Sequence, residues 1–261
     1  MKKAELPLPD RRNAVSIITC TKRPECLKNL FANYARQKYA KKELIVILNN
    51  DKLRIDSYVE AAKAHKHVRV YRKPGRLPLG ACLNYGVSLA SYGLIAKFDD
   101  DDYYAPEYLA DSVRAMITAK ADIVGKRAHY MYLSGKKRLL LRYPNKANQT
   151  VPLVQGATLL VKRSVFGRVA FPRLNRGECV QFCADSLAKG FRIFAGSPAY
   201  FLAVRRDRSK GHTWKVSAAS LMSRNAKVLR GTRHLPDAIR TVTARPPVSV
   251  SPQSRQASPT N

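Results

Sequence analysis

Four consecutive aspartates, Asp99 to Asp102, close the apolar run Leu94-Ile95-Ala96-Lys97-Phe98 and lead into Tyr103-Tyr104-Ala105-Pro106. Adjacent carboxylates repel one another and are costly to hold without a cation. Hard divalent ions such as Mg²⁺ or Mn²⁺ take oxygen ligands and bridge one or two carboxylates to the phosphates of a substrate. The chemistry expected of this segment is therefore metal-assisted handling of a phosphate-bearing molecule. The plain alternative is a solvated acidic turn that caps the helix beginning near Pro106. Position favours the metal: a short apolar run is strand-like and Pro106 fits the first turn of a helix. The carboxylates then stand at the C-terminal mouth of a strand, where open α/β sheets bind ligands.

The elements that must position them alternate along the first half of the chain. Val15–Thr19, Glu43–Leu48 and Val68–Tyr71 read as strands, and Pro24–Gln37, Ile55–His65 and Ala81–Ala90 as helices. This alternation predicts a mostly parallel sheet with crossover helices. The second half is less regular. Strands are predicted over Ala121–Lys126, His129–Leu133, Arg138–Arg142, Ala157–Val161 and Phe191–Phe194, with a hairpin turn at Ser134–Lys137. Helices are predicted over Glu178–Ala188 and Ala218–Leu229, and the Pro-, Ser- and Gln-rich segment from Arg245 is predicted to be disordered.

The 48 Lys and Arg against 18 Asp and Glu give the 261-residue chain a net charge of +30, which implies an anionic partner: nucleic acid, anionic lipid or a phosphate-bearing substrate. The basic residues are dispersed, and no nucleic-acid-binding motif accompanies them. Cys20, Cys26, Cys82, Cys179 and Cys183 form no paired metal framework and read as reduced thiols, mostly small buried hydrophobes. No apolar stretch approaches the roughly 20 residues that span a bilayer, and the N-terminus lacks the apolar core of a signal peptide. A cytoplasmic protein is expected, with possible peripheral contact at the anionic inner membrane face.

Four segments together resemble family 2 glycosyltransferases of the GT-A fold: Val15–Arg23, Glu43–Asp51, Gly80-Ala81-Cys82-Leu83-Asn84-Tyr85-Gly86, and Leu94–Pro106 with its Asp-x-Asp triplet. The resemblance covers roughly residues 13–215. It implies a Rossmann-like, mostly parallel central sheet flanked by helices, with an irregular acceptor-side second half. It also implies a nucleotide-diphosphate-sugar donor whose leaving diphosphate is neutralised by Mn²⁺ or Mg²⁺. By this likeness Asp99 and Asp101 are the outer residues of the motif, Asp101 the direct metal ligand, and Asp100 a partner of the ribose or a metal-bound water. Asp102 either joins the site or caps the next helix. Thr19, Thr21 and Asn84 fall at nucleoside-side positions and Arg23 near the diphosphate. Asn49 stands where the family often has an aspartate that accepts the uracil N3–H; an amide can accept that bond too, so UDP is favoured and dTDP stays open.

Inverting transfer needs a carboxylate to deprotonate the acceptor hydroxyl. Family members place it in an acidic pair at a helix start, and here that stretch reads Gly177-Glu178-Cys179, with cysteine where the second acid often stands. Glu178 or Asp185 is the expected base, unless the chain is an inactive member. The likeness also gives His212 to the metal and Arg205 and Arg206 to the diphosphate. His65, His67, His129 and His234 are expected to be surface or satisfied core groups. The expected organisation is a basic arm (1–12), the GT-A domain (13–215), a C-terminal helical extension (216–244) and a disordered tail (245–261). The expected activity is sugar transfer to a carbohydrate or glycan-polymer acceptor, an anionic cell-envelope polymer being one candidate, with no specific nucleic acid. The rivals are a nucleic-acid-binding protein and a sugar nucleotidyltransferase; no glycine-rich loop follows the first strand, which weighs against the second.

Overall fold

The computed structural model describes residues 13–206, 216–223, 225–229 and 232–244. The basic arm, His212 and the tail from Arg245 lie outside these residues. The first half follows the expected alternation: β1 (Val15–Thr21), α1 (Leu27–Ala35), β2 (Lys42–Leu48), α2 (Ile55–Lys63), β3 (Val68–Arg72), α3 (Leu79–Leu89) and β4 (Leu94–Lys97). Pro24 opens a short 3₁₀ turn, Pro24–Cys26, that leads directly into α1. There follow β5 (Tyr103–Tyr104), α4 (Tyr108–Thr118), β6 (Ile123–Gly125), β7 (His129–Leu133), β8 (Arg138–Arg142), β9 (Gln149–Thr150) and β10 (Leu160–Lys162). The chain continues through α5 (Glu178–Ala188), β11 (Ile193–Ala195), β12 (Phe201–Arg205), α6 (Ala218–Ser223), β13 (Ala226–Leu229) and α7 (Leu235–Thr243).

Two sheets result. The larger runs β3-β2-β1-β4-β10-β6-β11-β9. Its first four strands are parallel, and β10 is inserted antiparallel between β4 and β6. Successive side chains of a strand point to opposite faces, and here both faces are covered. Val15, Ile17, Leu44, Val46, Leu94 and Ala96 enter one apolar cluster, while Ile18, Ile45, Ile47 and Ile95 enter a second. Strands buried on both faces read as continuous apolar runs rather than as alternating ones.

The second sheet, β13-β8-β7-β12-β5, accounts for what the sequence did not disclose. Residues 218–229, predicted as one helix, divide into α6 and β13, and β13 pairs antiparallel with β8. Asn225, with φ of 51°, takes the left-handed conformation just before β13. Within 216–244, β13 thus belongs to a sheet, and α7 buries Ala238 and Val242 against Tyr132, Leu139 and Leu202. β5 and β12 are two further strands without a strong local signal. Their pairing, Phe201 with Tyr104 and Leu202 with Tyr103, joins the second sheet to the segment immediately after the aspartates.

Close approach of the chain explains the glycine that opens α3. A Cβ on Gly80 would lie 1.8 Å from the carbonyl oxygen of Pro172, while its N–H donates to the carbonyl of Leu174 at 3.0 Å. The backbone oxygen cannot swing aside, so Gly80→Ala must push α3 away from residues 172–174. We expect a loss of about 1–3 kcal/mol in unfolding free energy, read from urea denaturation; an unchanged midpoint would contradict this packing.

Candidate active site

The acidic turn is positioned by three neighbours. Phe98 N–H donates to the carbonyl of Ile18 at 3.0 Å, so the aspartates follow β4 alongside the end of β1. α1 then grips the turn by its backbone: Asn29 Nδ2 donates to the carbonyls of Asp100 (2.8 Å) and Asp102 (2.9 Å), and Asn33 Nδ2 to that of Asp102 (2.8 Å). Gln37 Nε2 donates to the carbonyl of Ala105 at 2.9 Å. These amides recur every four residues, the spacing of one helix face, a periodic polar stripe that the sequence displays but whose use it does not reveal. On the other side Phe98 and Tyr104 stack with ring centroids 3.8 Å apart. Tyr104 Oη accepts the N–H of Asp99 at 2.8 Å and donates to the carbonyl of Ala157 at 2.7 Å.

The four carboxylates are treated differently. Asp100 is 1% exposed. Its Oδ2 accepts from Thr21 Oγ1 at 2.6 Å and from Arg23 Nε at 3.2 Å, and its Oδ1 pairs with Arg23 Nη2. Burial raises its pKa, opposed by Arg23 and Thr21, with a net upward shift. Asp100, expected to meet a ribose or a metal-bound water, is held here by Thr21 and Arg23. Arg23 loses solvation on burial, but Asp100 and Asp101 more than restore its preference for the charged state. Its Nη1 reaches Asp101 Oδ2 at 2.7 Å, and Arg206 Nη2 reaches the same oxygen at 3.4 Å. Asp99 pairs with Lys97, whose ammonium is buried yet held charged chiefly by Asp99, with Glu178 nearby. Asp102 does not cap α4: its Oδ1 accepts from Val204 N–H at 3.0 Å, and the cap position of α4 is Glu107, whose side chain makes no capping bond. Burial and the charges of Asp101 and Asp99 push the Asp102 carboxyl well above its usual range.

Asp99, Asp101, Asp102 and Glu178 line one cleft of about 820 Å³, together with Arg23, Lys97 and Arg205. A smaller adjoining cavity of about 120 Å³ is lined by Cys20, Thr21, Arg23, Asn49, Asp99 and Asp100. Asn49 Nδ2 donates to the carbonyl of Pro74 at 2.9 Å, which leaves Oδ1 as its acceptor. Glu178 is the first residue of α5, after Gly177 in the left-handed conformation (φ 79°), so its carboxylate sits at a helix N-terminus. The Cys179 thiol, buried and held protonated, donates to Glu178 Oε1 at 3.3 Å.

Several expected site residues stand elsewhere. Thr19 is buried in β1 and lines neither cavity. Asn84 is turned to structure: Nδ2 donates to the carbonyl of Phe171 (2.8 Å) and Oδ1 accepts its N–H (3.0 Å). Asp185 lies two turns along α5 from Glu178, about 10 Å by helix rise, where it accepts from Gln181 Nε2 at 2.7 Å and lines neither cavity. Two expected residues do stay at the site: Arg205 lines the large cleft and donates to the carbonyl of Val216 at 3.0 Å, and Arg206, on Asp101, also pairs with Glu25 at 3.2 Å. The histidine expectation changes as well: His129 is 3% exposed, lines the large cleft, and its Nε2 is buried without a partner among the described residues. All five cysteines are free thiols, as expected. No helix of the described residues is long and apolar enough to cross a membrane.

The clamp on Phe171 separates structure from ligand binding. Asn84→Ala removes two partly buried bonds and is expected to destabilise the fold by roughly 1–2 kcal/mol, while nucleotide affinity of the folded protein stays at the wild-type value. Parallel denaturation and calorimetry check this, and a selective loss of affinity would return Asn84 to the site.

Residues 16–170, more than half of the chain, match Glycosyl transferase family 2. Among characterised proteins the chain is similar to the O-antigen biosynthesis glycosyltransferase WbnJ of Escherichia coli, 29% identical over 175 residues. That match covers 62% of this chain and 64% of WbnJ, just under two thirds of its length. Among solved structures it resembles S. aureus TarS 1-349 in complex with UDP-GlcNAc (TM-score 0.60, 17% identity, 78% of this chain and 62% of that one). It likewise resembles the mannosyltransferase PcManGT from Pyrobaculum calidifontis in complex with GDP-Man and Mn²⁺ (TM-score 0.60, 18% identity, 78% and 60%). At such identities the structural likeness establishes the fold alone. With the parallel sheet, the acidic turn at its mouth and the family match, the chain belongs to glycosyl transferase family 2 and has the GT-A fold.

Proposed function

We propose that the chain is an inverting glycosyltransferase that moves a sugar from a nucleotide-diphosphate donor, UDP in preference, to the hydroxyl of a carbohydrate acceptor. The observation that carries this reading is the single cleft onto which Asp99 and Asp101 open together with Glu178 and Arg205. The acceptor oxygen attacks the anomeric carbon, the bond to the diphosphate breaks, and Glu178 takes the acceptor proton. Its side chain stands at the N-terminus of α5, a favourable place for an anion, and the neutral Cys179 thiol orients it through Oε1. Asn49 Oδ1 is suited to an N3–H of uracil or thymine, which supports UDP and leaves dTDP as the second choice.

The donor set fits a divalent ion. Mg²⁺ and Mn²⁺ are commonly held by one or two carboxylates, with waters and phosphates completing the shell. Asp101 and Asp99 provide such a pair, and among the described residues no larger His, Cys, Asp and Glu group exists to hold an ion alone. When bound there, the ion supplies charge neutralisation to the leaving diphosphate. Arg23 and Arg206, already on Asp101, add positive charge on the same side. The net charge of +30 supports an anionic acceptor, such as a phosphate-bearing envelope polymer, and docking at an anionic membrane face.

Two measurements test this reading. Calorimetric titration with UDP should give binding that strengthens with Mn²⁺ and loses that dependence in Asp101→Ala. Absence of binding by UDP, dTDP and GDP, with or without metal, would overturn the proposal in favour of a nucleic-acid-binding role. Separately, Glu178→Gln should lower the turnover of UDP-sugar hydrolysis or transfer by about 10²–10⁴-fold with donor affinity retained; wild-type turnover would remove Glu178 as the base.

A further inference from the structure

One end of the cleft is lined by residues that donor chemistry does not use. β7 and β8 set His129 directly opposite Arg142, with Arg127 just before β7 and Tyr143 just after β8; all four line the cleft. Tyr143 holds a left-handed backbone, φ 47°, a conformation that non-glycine residues keep only where their surroundings enforce it. Its N–H donates to the carbonyl of Asn225 at 2.6 Å. Two guanidiniums share its ring, Arg127 at 3.8 Å and Arg142 at 5.2 Å from the centroid. Two like charges brought to one ring repel, and among the described residues no carboxylate pairs with either arginine.

Two further atoms mark this place. Arg142 Nε and His129 Nε2 are buried with no hydrogen-bond partner among the described residues, and an unsatisfied buried polar atom usually signals a ligand or water. His129 Nδ1 donates to the carbonyl of Arg127 at 3.0 Å, so Nε2 of the neutral ring is an acceptor. Burial, with Arg142 and Arg127 nearby, pushes the His129 pKa down to about 4, and the ring stays neutral at physiological pH. The place thus offers two guanidinium donors beside one imidazole acceptor. A phosphate has enough oxygens to meet two guanidiniums at once, and an adjoining hydroxyl would satisfy Nε2.

We propose, building on the glycosyltransferase reading, that Arg127, Arg142 and His129 form an acceptor subsite for a phosphate group flanked by a hydroxyl, as in a polyol or sugar phosphate. Arg127, half-buried and outside the donor machinery, is the residue to vary. With the donor site saturated by UDP and Mg²⁺, glycerol 3-phosphate, dimethyl phosphate and glycerol are titrated by calorimetry into wild type, Arg127→Gln and His129→Phe. A phosphate should bind wild type and weaken by about tenfold or more in Arg127→Gln, as loss of a charge-assisted bond requires. UDP affinity should be unchanged and glycerol should not bind. The preference of glycerol 3-phosphate over dimethyl phosphate should disappear in His129→Phe. Tighter binding of the monoester in wild type points to a terminal phosphate, and equal or tighter binding of the diester to a polymer backbone. Equal phosphate affinity in wild type and Arg127→Gln, or none in wild type, overturns the subsite. Failure of UDP to bind counts against the donor reading instead, and the same phosphate titration is then run without UDP.

Discussion

Four adjacent carboxylates at the end of β4 create a repulsion that the fold must absorb, and much of the surrounding architecture does so. Arg23 bridges Asp100 and Asp101, Lys97 answers Asp99, and Arg206 adds a second cation at Asp101. Asp100 is almost wholly buried, and removing one member of such a buried pair typically costs about 3–5 kcal/mol. Its partner is therefore an anchor of the fold as much as a part of the site. Because Arg23 follows β1 while Asp100 follows β4, the pair locks the mouths of two neighbouring parallel strands together.

That lock has a chemical consequence. With Asp100 committed inward, Asp99, Asp101 and Asp102 line the cleft, and the charges of the first two are partly compensated by Lys97, Arg23 and Arg206. The amide stripe of Asn29, Asn33 and Gln37 and the Phe98–Tyr104 stack hold the backbone of the turn from opposite sides. Groups held this way are preorganised, which is the condition for electrostatic stabilisation to act when charge develops.

The second sheet supplies the other wall. β5 is only two residues long, yet its pairing with β12 fastens this sheet to the acidic turn, and Val204 of β12 bonds Asp102 directly. The cleft therefore lies between a parallel sheet that ends in carboxylates and a mixed sheet that contributes Arg127, His129, Arg142 and Arg205. The strong positive charge of the chain is thus not only a property of the outer surface. Part of it is carried inside the cleft, with β7, β8 and β12 fixing the spacing of the guanidiniums.

By itself the sequence determined the parallel half of the fold and the place of the acidic turn. Both rest on local physics: apolar runs of strand length, helical periods between them, and four carboxylates adjacent in the chain. Cysteine usage and the helix that starts at Glu178 were legible on the same grounds. Tertiary structure alone decided the rest, because each remaining feature depends on a partner distant in sequence. Ala226–Leu229 is a strand only because β8 offers it an edge, although the same residues read equally well as helix. Asn84 looked like a ligand-facing amide until Phe171 claimed both of its ends. Asp185 shares a helix with Glu178, but helix rise carries it away from the cleft. His129 and Arg142 carry no motif, and only the register of two antiparallel strands sets them side by side. Local sequence encodes propensity and charge, whereas pairing across the chain decides which of those charges face each other.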